Sequence, residues 1–316
     1  MKKLLFYSSF LLFVFFTACS SNENSITDSP CELSTTNIQA FSSVKNQIDS
    51  LGNINFGMQE TISRGNFLSS LWHGLKAVLI ADGKGAASSL QNGKEVITGA
   101  IASSITKVID LINGTDSVKT PSKPINKVYS SVRDTIPYNT DNIDNVIISS
   151  SNSLEDSIGY YHDKILSEAL KKNSNAAYWK KLNTEEILDT LVSQTEEVLG
   201  MRKGSLVLAE ASKKIIIDDI NRMRYAKADE TAEEMVEELK QANPQVGKIM
   251  DVVLSYINQV CKSEEFTDSK VYSQHVLEII DNSDLSKDDK KTLRRTIGVA
   301  FASFNLWNTN RNKVED

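Results

Sequence analysis

The sequence predicts a mostly α-helical protein: a helical bundle with a Gly/Ala-rich helical N-terminal region and an irregular, proline-containing linker. Three observations predict it. Apolar residues recur at spacings of three and four through most of the chain, which gathers them on one face of a helix. No stretch alternates apolar and polar residues for long enough to build a sizeable sheet. Pro121, Pro124 and Pro137 fall together among Asn, Asp, Ser and Thr, and no proline follows until Pro244.

Taken in order, Lys2 and Lys3 precede a nearly unbroken apolar run from Leu4 to Phe16, too short to span a bilayer comfortably. The run ends in Phe16-Thr17-Ala18-Cys19. This resembles the lipobox of bacterial lipoproteins, a bulky apolar residue and two small residues before a cysteine, with Phe16 where Leu is usual. The resemblance implies that the Cys19 thiol is alkylated with diacylglycerol, that residues 1–18 are removed as a signal peptide, and that the new amine is acylated. Residues 19–35 read as a flexible tether, because Ser20 to Ser29 carries only Ile26 as an apolar residue. Several acyl chains on one residue exceed the marginal binding that one chain gives, so the expected partner is the bilayer itself.

Composition narrows the function classes. The precursor carries 35 basic and 41 acidic residues, and loss of Lys2 and Lys3 with the signal takes the net charge from −6 to −8. An acidic exported domain is a poor nucleic-acid binder. Apolar residues make up 40% of the chain, ample for a core. Three cysteines are present; lipidation uses Cys19, leaving Cys31 and Cys261 as a possible disulfide in an oxidising compartment, or as a tether thiol and a buried core residue.

In the N-terminal region, 36–112, Ile38, Phe41, Val44, Ile48 and Leu51 form one helical stripe, for which Gly52 supplies a stop. Phe67 to Ile80 and Ile97 to Ile112 are further apolar stretches, the second ended by Asn113-Gly114. Residues 113–153 form the linker. In the bundle, 154–316, Thr184 is a plausible N-cap, Ser286 with Asp289 resembles a capping box, and the acidic run Asp229 to Glu238 reads as a solvated helix face over Met235, Val236 and Leu239. The branched runs Val146 to Ile148 and Ile215 to Ile217 are too short to read as strands.

Lys76 to Leu90, KAVLIADGKGAASSL, has two readings. A dinucleotide-binding turn would need a small residue where Ser88 stands and a parallel sheet around it; a phosphate loop fails at Ser88 and Glu95. As helix, Ala77, Ala81, Gly85, Ser89 and Gly93 form a small-residue stripe for close helix packing, the preferred reading. Membrane perturbation by residues 77–112 is a further alternative.

Signals for chemistry are sparse. His73, His162 and His275 have no second ligand at metal spacing, and the HExxH and GxSxG patterns are absent, so no cofactor or metal is expected. Tyr161, His162 and Asp163, within Ile158 to Asp163, form the one candidate ligand site, with helix-start packing as the competing account.

Three segments, Trp72 to Ala87 (WHGLKAVLIADGKGAA), Asp156 to Leu166 (DSIGYYHDKIL) and Leu285 to Trp307 (LSKDDKKTLRRTIGVAFASFNLW), together resemble a set of uncharacterised exported bacterial proteins, many of them lipoproteins of the Bacteroidota type. Asp163 stands where that set usually has Asn. The resemblance implies export and a lipid anchor and carries no activity. The resulting expectation is a lipid-anchored helical binding or structural module of the bacterial envelope, on the outer membrane's periplasmic or cell-surface face, with a protein or glycan partner. An enzyme or ligand-binding protein using His162 is the alternative.

Overall fold

The computed structural model describes residues 35–57, 66–87, 93–117, 136, 138–149, 157–224, 231–263 and 265–308, with side chains from residue 37 and excluding 66–74, 110–117 and 223–224. Cys19, Cys31, His73 and the prolines at 121, 124 and 137 therefore lie outside what is described below, as does any Cys31–Cys261 pairing.

Eleven α-helices hold 81% of the described residues, and no strand occurs among them. They are α1 (Thr35–Phe56), α2 (Asn66–Ala87), α3 (Gly93–Ser117), α4 (Ile158–Lys172), α5 (Ala176–Lys181), α6 (Thr184–Val198), α7 (Glu210–Arg224), α8 (Ala232–Ala242), α9 (Pro244–Val260), α10 (Phe266–Asp281) and α11 (Lys287–Trp307). Residues from 35 onward form one unit, in which the N-terminal helices pack directly on the C-terminal ones.

Two hydrophobic cores lie on either side of a wall made by α2 and α11. One joins Phe41, Val44 and Ile48 of α1 to Val236 of α8, Val253 and Ile257 of α9, and Val276 of α10. The other joins Ile101 and Ile105 of α3 to Leu166 of α4, Trp179 of α5, Leu188 of α6 and Ile220 of α7. The wall helices face both: α2 sends Leu79 and Ile80 to the first and Val78 and Ala86 to the second, while α11 sends Phe301 and Phe304 to the first and Val299 and Leu306 to the second. A helix apolar on most of its circumference is one that is surrounded.

Several helix limits differ from the expected ones for local reasons. Helix α1 runs through Gly52 to Phe56, and the residue with left-handed backbone after it is Gly57, φ 67°. Gly52 is instead where the Gln259 side chain lies against the helix, in the space a Cβ would fill. Helix α3 continues past Asn113-Gly114 to Ser117. The N-cap of α6 is Asn183, not Thr184: Asn183 Oδ1 accepts from Glu186 N and Glu186 returns a bond to Asn183 N, a reciprocal capping box. Thr184 instead donates its hydroxyl to Asn221 of α7 at 2.6 Å. At α11, Ser286 Oγ accepts from Asp289 N at 3.1 Å and donates to the Asp289 carboxylate at 2.7 Å, so the side chains close on each other. Met235, Val236 and Leu239 are buried as the acidic run implied, with Thr231 and Glu234 forming a second reciprocal capping box. Cys261 is buried at the end of the Val253, Ile257 face.

The described part of the linker is irregular, with one short 3₁₀ turn at Ile143–Asn145. It lies on the helices through Ile136 N to Ser174 O at 2.8 Å, Asn139 N to Leu306 O at 2.7 Å, and buried Val146 and Ile148.

Candidate functional site

Residues 77–87 lie wholly within α2, and the Gly83-Lys84-Gly85 sequence is helix interior. Its glycines are contact points. A Cβ on Gly85 would stand 2.7 Å from Ala100 Cα of α3, and one on Gly83 would stand 3.0 Å from the Met250 methyl of α9. The small-residue stripe serves close packing over Ala77, Ala81 and Gly85, all buried; Ser89 lies outside the described residues, and Gly93 is the first residue of α3. Lys84 is bound to Asp219 of α7 at 2.6 Å, an ion pair among largely buried groups.

Helix α4 starts at Ile158, and Gly159 lies against the Gly298 carbonyl of α11, where any side chain would collide with backbone. These close approaches draw α2, α3, α4 and α11 together around one polar cluster. His162 and Asp163 come from α4, Asp82 from α2 and Ser303 from α11, and all four are buried to 1% exposure or less. His162 Nδ1 lies 2.9 Å from Asp163 Oδ1, while Nε2 lies 4.0 Å from Asp82 Oδ2 and has no hydrogen-bond partner. Ser303 donates its hydroxyl to Asp82 Oδ2. Ser104 of α3 is also buried at this junction and accepts from Trp307 Nε1 at 3.2 Å.

The electrostatics follow from enclosure. Burial pushes Asp82 from the usual carboxylate range up to about 6, against the opposing pull of His162 and of the Ser303 and Ser104 hydroxyls. Asp163 is likewise raised by burial, partly offset by its bond to His162. For His162 burial acts downward, but the hydrogen bond to Asp163 and the two carboxylates outweigh it, so the imidazole is raised. The cluster therefore holds protons more tightly than the same groups do in water. Proton sharing is the chemistry the arrangement supports.

The structure thus brings two of the three expected site residues together. Tyr161 does not join them; it is half-buried, edge-on to Tyr160 at 5.1 Å between centroids, and packs on the second core. His275 is exposed on α10. Among the described residues no group of three His, Cys, Asp or Glu side chains converges as a metal site would require. Asp82, Ser303 and Ser104 were not anticipated. A signal for Asp82 existed, since it is the one acid in the apolar stretch Ala77 to Ala87; Ser303 and Ser104 have none, because serines on apolar helix faces are common.

Two cavities open at the surface of α1, and neither is lined by cluster residues. The larger, about 710 Å³, is a shallow groove over Ile38, Ser42, Leu51 and Ile54 of α1 with Ile279 of α10. The other, about 300 Å³, lies between α1, the end of α8 and the start of α9. No protein-family model matches this chain, and no curated protein and no solved structure proved similar to it.

Proposed function

We propose that this protein is an exported lipoprotein, anchored in the bacterial envelope through acylated Cys19, whose helical body serves as a binding or structural module for a protein or glycan partner. The observation that carries the reading is the succession of a cationic start, a short apolar run, the Phe16-Thr17-Ala18-Cys19 motif and a polar segment ahead of the first helix. No helix among the described residues is long and apolar enough to cross a membrane, so attachment in this reading rests on the lipid. The apolar side chains described within residues 77–87 and 93–109 are committed to the two cores, which argues against membrane perturbation by those two helices.

The enclosure of His162 favours a module over an enzyme. Its ring is fully buried, and catalysis there would require α4 to part from α2 and α11 before any substrate reached it. The polar cluster acts instead as the registry point of four helices, a use well attested for buried polar groups.

Fractionation of cells expressing the full chain tests the anchor. The native protein is expected in the membrane fraction after an alkaline carbonate wash, and Cys19→Ser in the soluble fraction. Equal partitioning of the two would defeat the proposal.

A further inference from the structure

The corner where α8 meets α9 gathers two lysines around one aspartate, and a third lysine lines the cavity beside them. Lys45 of α1 binds Asp251 Oδ2 at 2.9 Å, and Lys240 of α8 binds Asp251 Oδ1 at 3.0 Å and Glu237 at 2.7 Å. Both oxygens of Asp251 are therefore engaged, and the two lysines hold its carboxyl below the ordinary range against the effect of burial. Lys248 is the third cation. Its ammonium is out of contact with water and has no hydrogen-bond partner. An ammonium so placed is costly unless an anion reaches it.

The cavity of about 300 Å³ lies at this lysine, lined by Ile38, Phe41, Pro244 and Val252 as apolar wall and by Ser42, Lys240, Lys248 and Asp251 as polar groups. The corner is firmly built. Asn243 caps the start of α9 by accepting from Val246 N, and Gly247 sits against the backbone of Lys240, where a Cβ would strike it. The positive end of the α9 dipole faces the same corner, with Pro244 at its first turn.

We propose that this cavity is a binding site for a small organic carboxylate, whose anionic head pairs with Lys248 and whose apolar stem lies on Ile38, Phe41 and Val252. A single uncompensated ammonium matches a monoanion better than a phosphate dianion, and the apolar wall calls for a hydrocarbon body. The flexible four-carbon stem of Lys248 lets the ammonium turn into the cavity. The site is independent of how the chain is anchored.

The test is ligand-observed NMR on the full-length chain with hexanoate, hexanol and inorganic phosphate as probes. Saturable hexanoate binding is expected, with hexanol and phosphate at least about tenfold weaker. Lys248→Met should weaken hexanoate about tenfold or more and Lys248→Arg should retain most of it. Ser42→Asp, which supplies a carboxylate within the cavity, should abolish hexanoate binding and raise the melting temperature. Absence of saturable hexanoate binding, hexanol binding as well as hexanoate, or Lys248→Met binding like the native chain would each overturn the proposal. Should Lys248→Met not fold, the hexanoate-to-hexanol ratio on the native chain decides alone.

Discussion

Ser303 of α11 donates its hydroxyl to Asp82 of α2, so a side chain of the last helix serves one oxygen of a carboxylate 221 positions earlier. Both groups are buried, and removing the donor leaves the acid less well served. Ser303→Ala should therefore destabilise the fold by about 1–3 kcal/mol in urea denaturation. A loss under about 0.5 kcal/mol would mean that this bond contributes little to joining the wall helices.

The same cluster sets a pH dependence. Asp82 rises from 3.8 to about 6 on folding, and Asp163 and His162 are raised as well. These three groups thus bind more protons in the folded chain than in the unfolded one from about pH 4 to beyond the folded value of His162, and their contribution to stability falls as pH rises through that interval. The His162 contribution is full below about pH 6.5, its unfolded value, and is lost as pH rises through its folded value. Asp251 and Glu196 are held low, by Lys45 and Lys240 and by the backbone N–H groups of Leu206 and Gly204, so their contribution is present above the ordinary carboxylate range and lost on acidification. Melting temperature should peak in the mildly acidic range. Asp82→Asn should flatten the decline toward pH 8, and an unchanged slope in that variant would assign the decline to other groups.

Gly159 and Gly298 face each other across α4 and α11 and should respond oppositely to alanine. A Cβ at Gly159 collides with the Gly298 carbonyl, whereas one at Gly298 meets nothing within 4 Å. Gly159→Ala should cost about 1–3 kcal/mol or more by forcing the helices apart. Gly298→Ala should stabilise by roughly 0.5–1 kcal/mol, since alanine suits a helix interior better. Thermal denaturation of both variants checks the sign.

Helix α6 offers a local test. Asn183→Ala removes one half of a reciprocal cap and should cost about 1 kcal/mol by chemical denaturation. If Thr184 were the cap, Asn183→Ala would be nearly neutral.

Helix content was legible because spacing reports burial directly: Phe41, Val44 and Ile48, or Val253 and Ile257, sit on their helices as their intervals imply. Helix ends were less so. Gly52 and the Asn113-Gly114 pair carry the composition of stops, yet a glycine also serves close approach, and only the presence of Gln259 beside Gly52 distinguishes the two uses. Of the candidate site, His162 and Asp163 were legible because they adjoin in sequence. Asp82 and Ser303 join them only through the tertiary meeting of α2, α4 and α11, which periodicity within any one helix does not encode. The packing of α1 and α2 on α9 to α11 was hidden for the same reason.

The identity of the first residue of the mature chain tests the central claim most directly. Mass spectrometry of the amino-terminal peptide, from protein purified out of native membranes, should find Cys19 at the terminus carrying a diacylglyceryl thioether. An unmodified Cys19, or a mature terminus elsewhere, would contradict the lipid anchor.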